Sequence, residues 1–283
     1  MRGFMTSMGS GRAAVGGSAA GISLPWLALY GFLALAWAGV WAMDGQRALP
    51  PELSGLGLET LRALCRAAAA DASLPGLWAM WAVMGAAMML PTALPAIRSF
   101  AMLNETIACR PGADAAFGAA FAVPALAAGF VAVWSVFALG AAALQAMLVS
   151  AGLMLPSGEA VGSEAVAAGL LLLAGIWQLS ALKDACLSRC RSPMRVFLKH
   201  WGPGARPAFG IGVRMGADCV GCCWALMLLA LVGGTSNLLF MAGATVLMML
   251  EKLPAIGGPI TRPLGFALIA AAGWTATHAV FGA

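Results

Sequence analysis

Residues 211–233 read IGVRMGADCVGCCWALMLLALVG. From Cys219 onward this stretch carries no charge and is mostly Ala, Leu, Val and Met. It is long enough to cross the hydrocarbon core of a bilayer as a helix, which takes about 20 residues. The start of its uncharged part holds Cys219, Cys222 and Cys223. Residues three and four apart share one face of a helix, so all three thiols can point the same way. One element therefore predicts both a membrane-type helix and a cluster of sulfur donors near its start.

The rest of the chain has the same character. It is 61% hydrophobic and 10% charged over 283 residues. A soluble domain carries about 45–50% apolar and about 25% charged residues. So much apolar surface calls for lipid, and the fold class expected is an all-α, polytopic membrane bundle. Seven spans are expected, near 23–43, 76–97, 118–148, 163–182, 211–233, 237–250 and 263–281. Residues 1–22, rich in Gly, Ser and Ala, read as a disordered cytosolic tail, leaving 23–283 as a single transmembrane domain. The apolar run 23–43 is long enough to remain as an anchor rather than be cleaved as a signal peptide. The Leu-rich segment 44–75 suits a surface-lying amphipathic helix or an ordinary external loop.

A net charge of +5 in a soluble protein would suggest nucleic acid. Here the basic residues sit between apolar spans, where they set orientation, and no nucleic-acid partner is expected. With seven spans and the N-terminus inside, only Arg47, Arg62 and Arg66 fall outside. The run from Lys183 to Arg214 falls inside, so N-in and C-out is the expected orientation. It places the cysteines at the cytosolic side, where thiols stay reduced.

The cysteine count is seven, which is odd and precludes a fully paired disulfide framework. A second pair, Cys186 and Cys190, lies four residues apart, again on one helix face. Gly202, Pro203, Gly204, Pro207, Gly210 and Gly212 supply turns for a chain reversal between the two clusters. Thiolates suit copper(I), zinc or iron–sulfur centres, and copper(I) or zinc stand ahead of iron–sulfur. The expected metal ligands are Cys186, Cys190, Cys219, Cys222 and Cys223. The bland alternative is that cysteine serves as a small apolar residue among packed helices.

Supporting donors are sought nearby. With only His200 and His278 in the chain, a metal site must lean on sulfur, and His200 in the basic loop is the supporting histidine. Asp218 and Glu251 are ionisable groups at or near spans, hence functional candidates. They can equally pair locally, Asp218 with Arg214 and Glu251 with Lys252 or Arg262. Met80, Met84 and Met88 form a thioether stripe with Met89 beside it, and Met227 lies one turn beyond Cys223. Met84, Met88 and Met227 are the supporting thioethers, although methionine more often fills gaps in a core. No GxxxxGK[ST], HExxH or GxSxG motif and no defensible nucleophilic triad is present, so enzyme status stays open.

The stretch Trp177-Gln178-Leu179-Ser180-Ala181-Leu182-Lys183-Asp184-Ala185-Cys186-Leu187-Ser188-Arg189-Cys190-Arg191-Ser192-Pro193 is followed by Trp201, Gly204 and Gly221-Cys222-Cys223-Trp224-Ala225-Leu226-Met227. Together with Trp78-Ala79-Met80, Met88-Met89-Leu90-Pro91 and Glu251-Lys252, it resembles a bacterial family of unknown function described as predicted metal-binding integral membrane proteins. The family pattern K-x-x-C-L-x-x-C-R-S-P, then G-C-C-W-x-L-M, falls here on Lys183, Cys186, Cys190, Arg191, Pro193, Cys222, Cys223, Trp224 and Met227. Cys219 takes the place of the cysteine before the second motif. Asp218 departs from the pattern, which has an aromatic or apolar residue there. The resemblance covers the chain from about residue 76 onward. It implies a multi-pass protein of the bacterial inner membrane that binds a metal; it supplies no reaction.

Three functions remain open on sequence. One is a membrane protein handling copper(I) or zinc at cytosolic cysteines, with a metal-delivery protein as partner. Another is a membrane thiol–disulfide oxidoreductase using a Cys-x-x-Cys pair. The last is a structural subunit of a membrane complex, whose small residues permit close helix packing.

Overall fold

The computed structural model describes residues 24–43, 73–108, 116–155, 157, 160–202, 204–235 and 237–281. The expected tail at 1–22 lies outside them, as does nearly all of the segment at 44–75. The described elements are helices: α1 Leu24–Met43, α2 Leu74–Ala108, α3 Ala116–Ser150, α4 Glu164–Gln178, α5 Ala181–Arg191, α6 Pro193–His200, α7 Ala205–Leu228, α8 Ala230–Gly233, α9 Leu238–Lys252 and α10 Gly257–Phe281.

Four stretches are long and apolar enough to cross a membrane: Leu74–Thr106, Phe121–Ser150, Ala205–Gly233 and Gly257–Val280. A fifth exists only if α4 and α5, bent by 63° at their junction, count as one span. The described apolar part of α1 is Leu27–Trp41, and α9 has 15 residues. A 15-residue helix measures about 22 Å, short of a hydrocarbon core about 30 Å thick. The expected seven spans are therefore corrected to four or five among the described residues, and the orientation read from seven loses its footing in helix lengths. Large apolar side chains face outward on several helices, with Val136 73%, Leu239 75% and Trp274 70% exposed.

Glycine lets the central helices touch. An added Cβ on Gly212 of α7 would collide with the Leu126 carbonyl of α3, and one on Gly129 of α3 with the Phe209 carbonyl of α7. Gly216, one turn along from Gly212, would meet Val133 at 2.9 Å. Small residues four apart are the device by which apolar helices bring their backbones together. Gly175 of α4 lies against Gly265 and Ile269 of α10 in the same way. On the opposite side of α3, Trp81 Nε1 donates to Gln145 Oε1 at 2.6 Å, satisfying a buried amide in the α2–α3 interface.

The chain breaks where its sequence supplies caps. Ser180 caps α5, its hydroxyl accepting the Lys183 N–H at 3.1 Å and donating to the Trp177 carbonyl at 2.7 Å. That double use of one side chain closes α4 and restarts the helix in a new direction. Pro193 at the first position of α6 cannot continue α5, and Gly204 at φ 93° provides the left-handed turn into α7. These breaks fold α5 back against α7 and α9, so that it covers the middle of α7 around Asp218 to Cys222.

A sulfur cluster where four helices meet

Cys219, Cys222 and Cys223 sit on the buried face of α7. Their Sγ atoms all lie within 4.8 Å of one another, and each side chain is 1–2% exposed. The spacing of three and four residues produces this geometry directly. The thiols of Cys222 and Cys223 donate back to the Cys219 carbonyl at 3.1 and 2.8 Å, so the cluster is internally satisfied while its protons are in place.

The second pair arrives from α5. Cys190 Sγ is 4.0 Å from Cys222 Sγ. Cys186 packs on the bare backbone of Gly221, where a Cβ would come within 2.7 Å of its sulfur. Trp177 Nε1 donates to the Gly221 carbonyl at 3.1 Å, and its ring meets Trp224 edge-on at 5.1 Å. The motif residues around the cysteines thus hold α5 and the end of α4 against α7. All five cysteines are free thiols.

Two further helices complete the wall. Met89 of α2 places its Sδ 3.7 Å from Cys223 Sγ. Lys252, the last residue of α9, donates from Nζ to Cys219 Sγ at 3.1 Å and to Thr92 Oγ1 at 2.6 Å. Thr92 in turn donates to the Met89 carbonyl at 2.8 Å. A cavity of about 40 Å³ adjoins Cys190, Cys219 and Lys252, with Arg189 and Asp218 also in its lining. It has room for an ion or a water or two.

Glu251 does not join the sulfurs. Its carboxylate pairs with the fully buried Lys183 ammonium at 2.9 Å, and Gln178 bridges both groups, donating to Glu251 and accepting from Lys183. Glu251 is thus ion-paired, with Lys183 rather than with the Lys252 or Arg262 that the sequence offered as alternative partners. Arg191 adds two bonds to the Glu251 carbonyl, at 3.1 and 2.7 Å, satisfying a carbonyl at the end of α9. α5 thus grips the terminus of α9, and the adjacent Lys252 is held over Cys219. Asp218 pairs with Arg189 of α5 at 3.1 Å, not with Arg214.

His200 Nδ1 lies 3.2 Å from the Val196 carbonyl in its own helix, and the metal-competent group among the described residues is Cys219, Cys222 and Cys223. Met84, Met88 and Met227 are buried core residues. Sequence reasoning passed over Lys252 and Thr92 as site residues and ranked Met89 behind Met84 and Met88. The Lys252 ammonium is no ligand; it is placed to balance charge at the Cys219 sulfur.

The donor set fits a soft ion. With metal–sulfur bonds of about 2.3 Å, sulfurs stand about 4.0 Å apart around a trigonal ion and about 4.6 Å apart around a linear one. The 4.0 Å between Cys190 and Cys222 matches the trigonal spacing, and the α7 trio lies within 4.8 Å.

No curated protein and no solved structure matches the chain. The model of one family, PpoB2, described as copper chaperone, matches residues 78–275. That interval contains every sulfur of the cluster and Lys252, and the chain belongs to the PpoB2 copper chaperone family.

Proposed function

We propose that the protein is a membrane-embedded copper(I) carrier, which takes the ion onto Cys219, Cys222, Cys223 and Cys190 and passes it to an acceptor protein. Copper is its cargo rather than a resident cofactor. The carrying observation is the buried trio of thiols within 4.8 Å, with a fourth sulfur 4.0 Å from Cys222. Thiolates select soft ions, and the family description favours copper over zinc. The apolar, outward-facing helices support a place in the membrane. The basic residues from Lys183 to Arg214 beside the cluster support its lying on the cytosolic side, where copper is reduced and thiols are free.

The reading is tested by titrating the detergent-purified protein with copper(I) against a chromogenic chelator in reducing, oxygen-free buffer. One tight site per chain is expected. It disappears in the triple variant Cys219→Ser, Cys222→Ser, Cys223→Ser. Equal binding by both proteins overturns the proposal.

Thiol–disulfide exchange is the second reading, favoured by the Cys190–Cys222 pair. Exchange requires an incoming disulfide sulfur to reach the attacking thiolate. Cys219 and Cys222 are each 2% exposed, while Cys190 is half-buried, so an incoming disulfide is kept from the sulfurs of α7. The geometry therefore favours metal handling.

A further inference from the structure

We infer that Met89 is a copper(I) ligand and the residue that makes the site prefer copper(I) to zinc. The inference rests on the copper-carrier reading and names its source of selectivity. Met89 is fully buried, and its sulfur lies 3.7 Å from Cys223 Sγ, which donates to it. Core packing alone asks only that the side chain fill space.

The backbone at this point is built for the task. Pro91 and Pro95 lie inside α2 without breaking it, and they remove the helical hydrogen bonds to the Ala87 and Pro91 carbonyls, four residues back. Thr92 lies between them and holds the Met89 carbonyl at 2.8 Å. The same Thr92 oxygen accepts from the Lys252 ammonium that contacts Cys219. One turn of α2 therefore serves both ends of the trio, with a neutral sulfur at Cys223 and a hydroxyl that fixes the cation at Cys219.

Charge explains the benefit. Copper(I) on two thiolates of the cluster, with the remaining cysteines keeping their protons, carries a net −1, which one ammonium balances. A third donor that is itself neutral completes trigonal coordination and leaves that balance intact. Zinc is held by thiolate, imidazole and carboxylate ligands and gains little from a thioether. Met88 is the neighbour of Met89 on the helix, turned about 100° away from it, so the regular stripe does not share this position.

The test uses the full-length protein in detergent, with copper(I) and zinc affinities each measured by competition. Met89→Leu is expected to weaken copper(I) binding roughly tenfold or more, the scale on which a site residue acts, and to leave zinc binding unchanged. Met241→Leu removes another fully buried methionine, about 16 Å along α9 from Lys252, and is expected to change neither affinity. A separate readout is selenium-edge absorption of selenomethionine-labelled, copper-loaded protein. Copper at bonding distance from selenium supports the inference even if Met89→Leu fails to fold. Copper affinity within twofold of the unmodified protein, or no copper near selenium, overturns it. Loss of copper binding on cysteine substitution alongside an inert Met89 overturns this inference alone. An unmodified protein that binds no copper(I) overturns the carrier reading and this inference together.

Discussion

Lys252 Nζ donates to Cys219 Sγ across 3.1 Å, joining the last residue of α9 to the first cysteine of the cluster on α7. A buried thiolate is costly unless its charge is met, and no other cation is seen to contact the trio among the described residues. Lys252 reaches this place because Arg191 and Lys183 of α5 hold Glu251, its neighbour.

Lys252→Met keeps the length of the side chain and removes the charge. A hydrogen bond to a charged group contributes about 1.5–3 kcal/mol, so copper(I) affinity is expected to fall about tenfold to a hundredfold. Competition titration checks it, and Lys252→Arg is expected to recover part of the loss. Unchanged affinity in Lys252→Met would show that the ammonium has no part in binding.

Cys190 is the donor that α5 lends to the site. In Cys190→Ser three sulfurs remain on α7, enough for copper(I) but one short of a tetrahedral thiolate set for zinc. Copper stoichiometry is expected to stay at one per chain with weaker affinity, and zinc affinity is expected to fall further than copper affinity. Parallel titrations with the two ions measure this.

The ion pair of Lys183 and Glu251 is fully buried. Removing one partner strands the other, a loss of about 3–5 kcal/mol. Lys183→Met is expected to lower the thermal midpoint markedly. The double change Lys183→Met with Glu251→Leu is expected to be less harmful than either single change. Thermal unfolding of the four proteins in one detergent gives the comparison.

Gly212→Ala sets a Cβ against the Leu126 carbonyl. The obstacle is backbone, so no rotamer change relieves it, and overpacking of this kind costs about 1–3 kcal/mol. Reduced thermal stability is expected, with copper stoichiometry retained in the folded fraction, because the cysteines begin seven residues further along the helix. Thermal unfolding alongside copper analysis separates the two effects.

Much of this arrangement follows from local spacing. The i, i+3, i+4 positions of Cys219, Cys222 and Cys223 specify a shared helix face, and the Gly- and Pro-rich stretch after Cys190 signals the reversal that brings α5 back to α7. Ser180 and Pro193 are ordinary cap and break signals. What spacing does not encode is which distant helix faces the cluster. Met89 and Lys252 approach from α2 and α9, far away in sequence, and the four-residue rhythm of Met80, Met84 and Met88 draws the eye to the adjacent face. Glu251 and Asp218 find partners on α5 rather than one turn away, because a long-range contact is set by tertiary packing. The spans number fewer than hydropathy predicts because hydropathy marks apolar stretches without showing where they end or bend. α9 stops at 15 residues, and α4 turns by 63° into the charged α5.

The most direct test is the copper content of the protein as purified, without added metal, from cells grown with copper and lysed under reducing, oxygen-free conditions. Elemental mass spectrometry would be run on the unmodified chain and on the variant with Cys190, Cys219, Cys222 and Cys223 all changed to Ser. Close to one copper per chain in the first and none in the second is the expected result. Copper absent from both, or retained equally by the serine variant, would contradict a sulfur-held copper cargo and leave the cluster as helix packing.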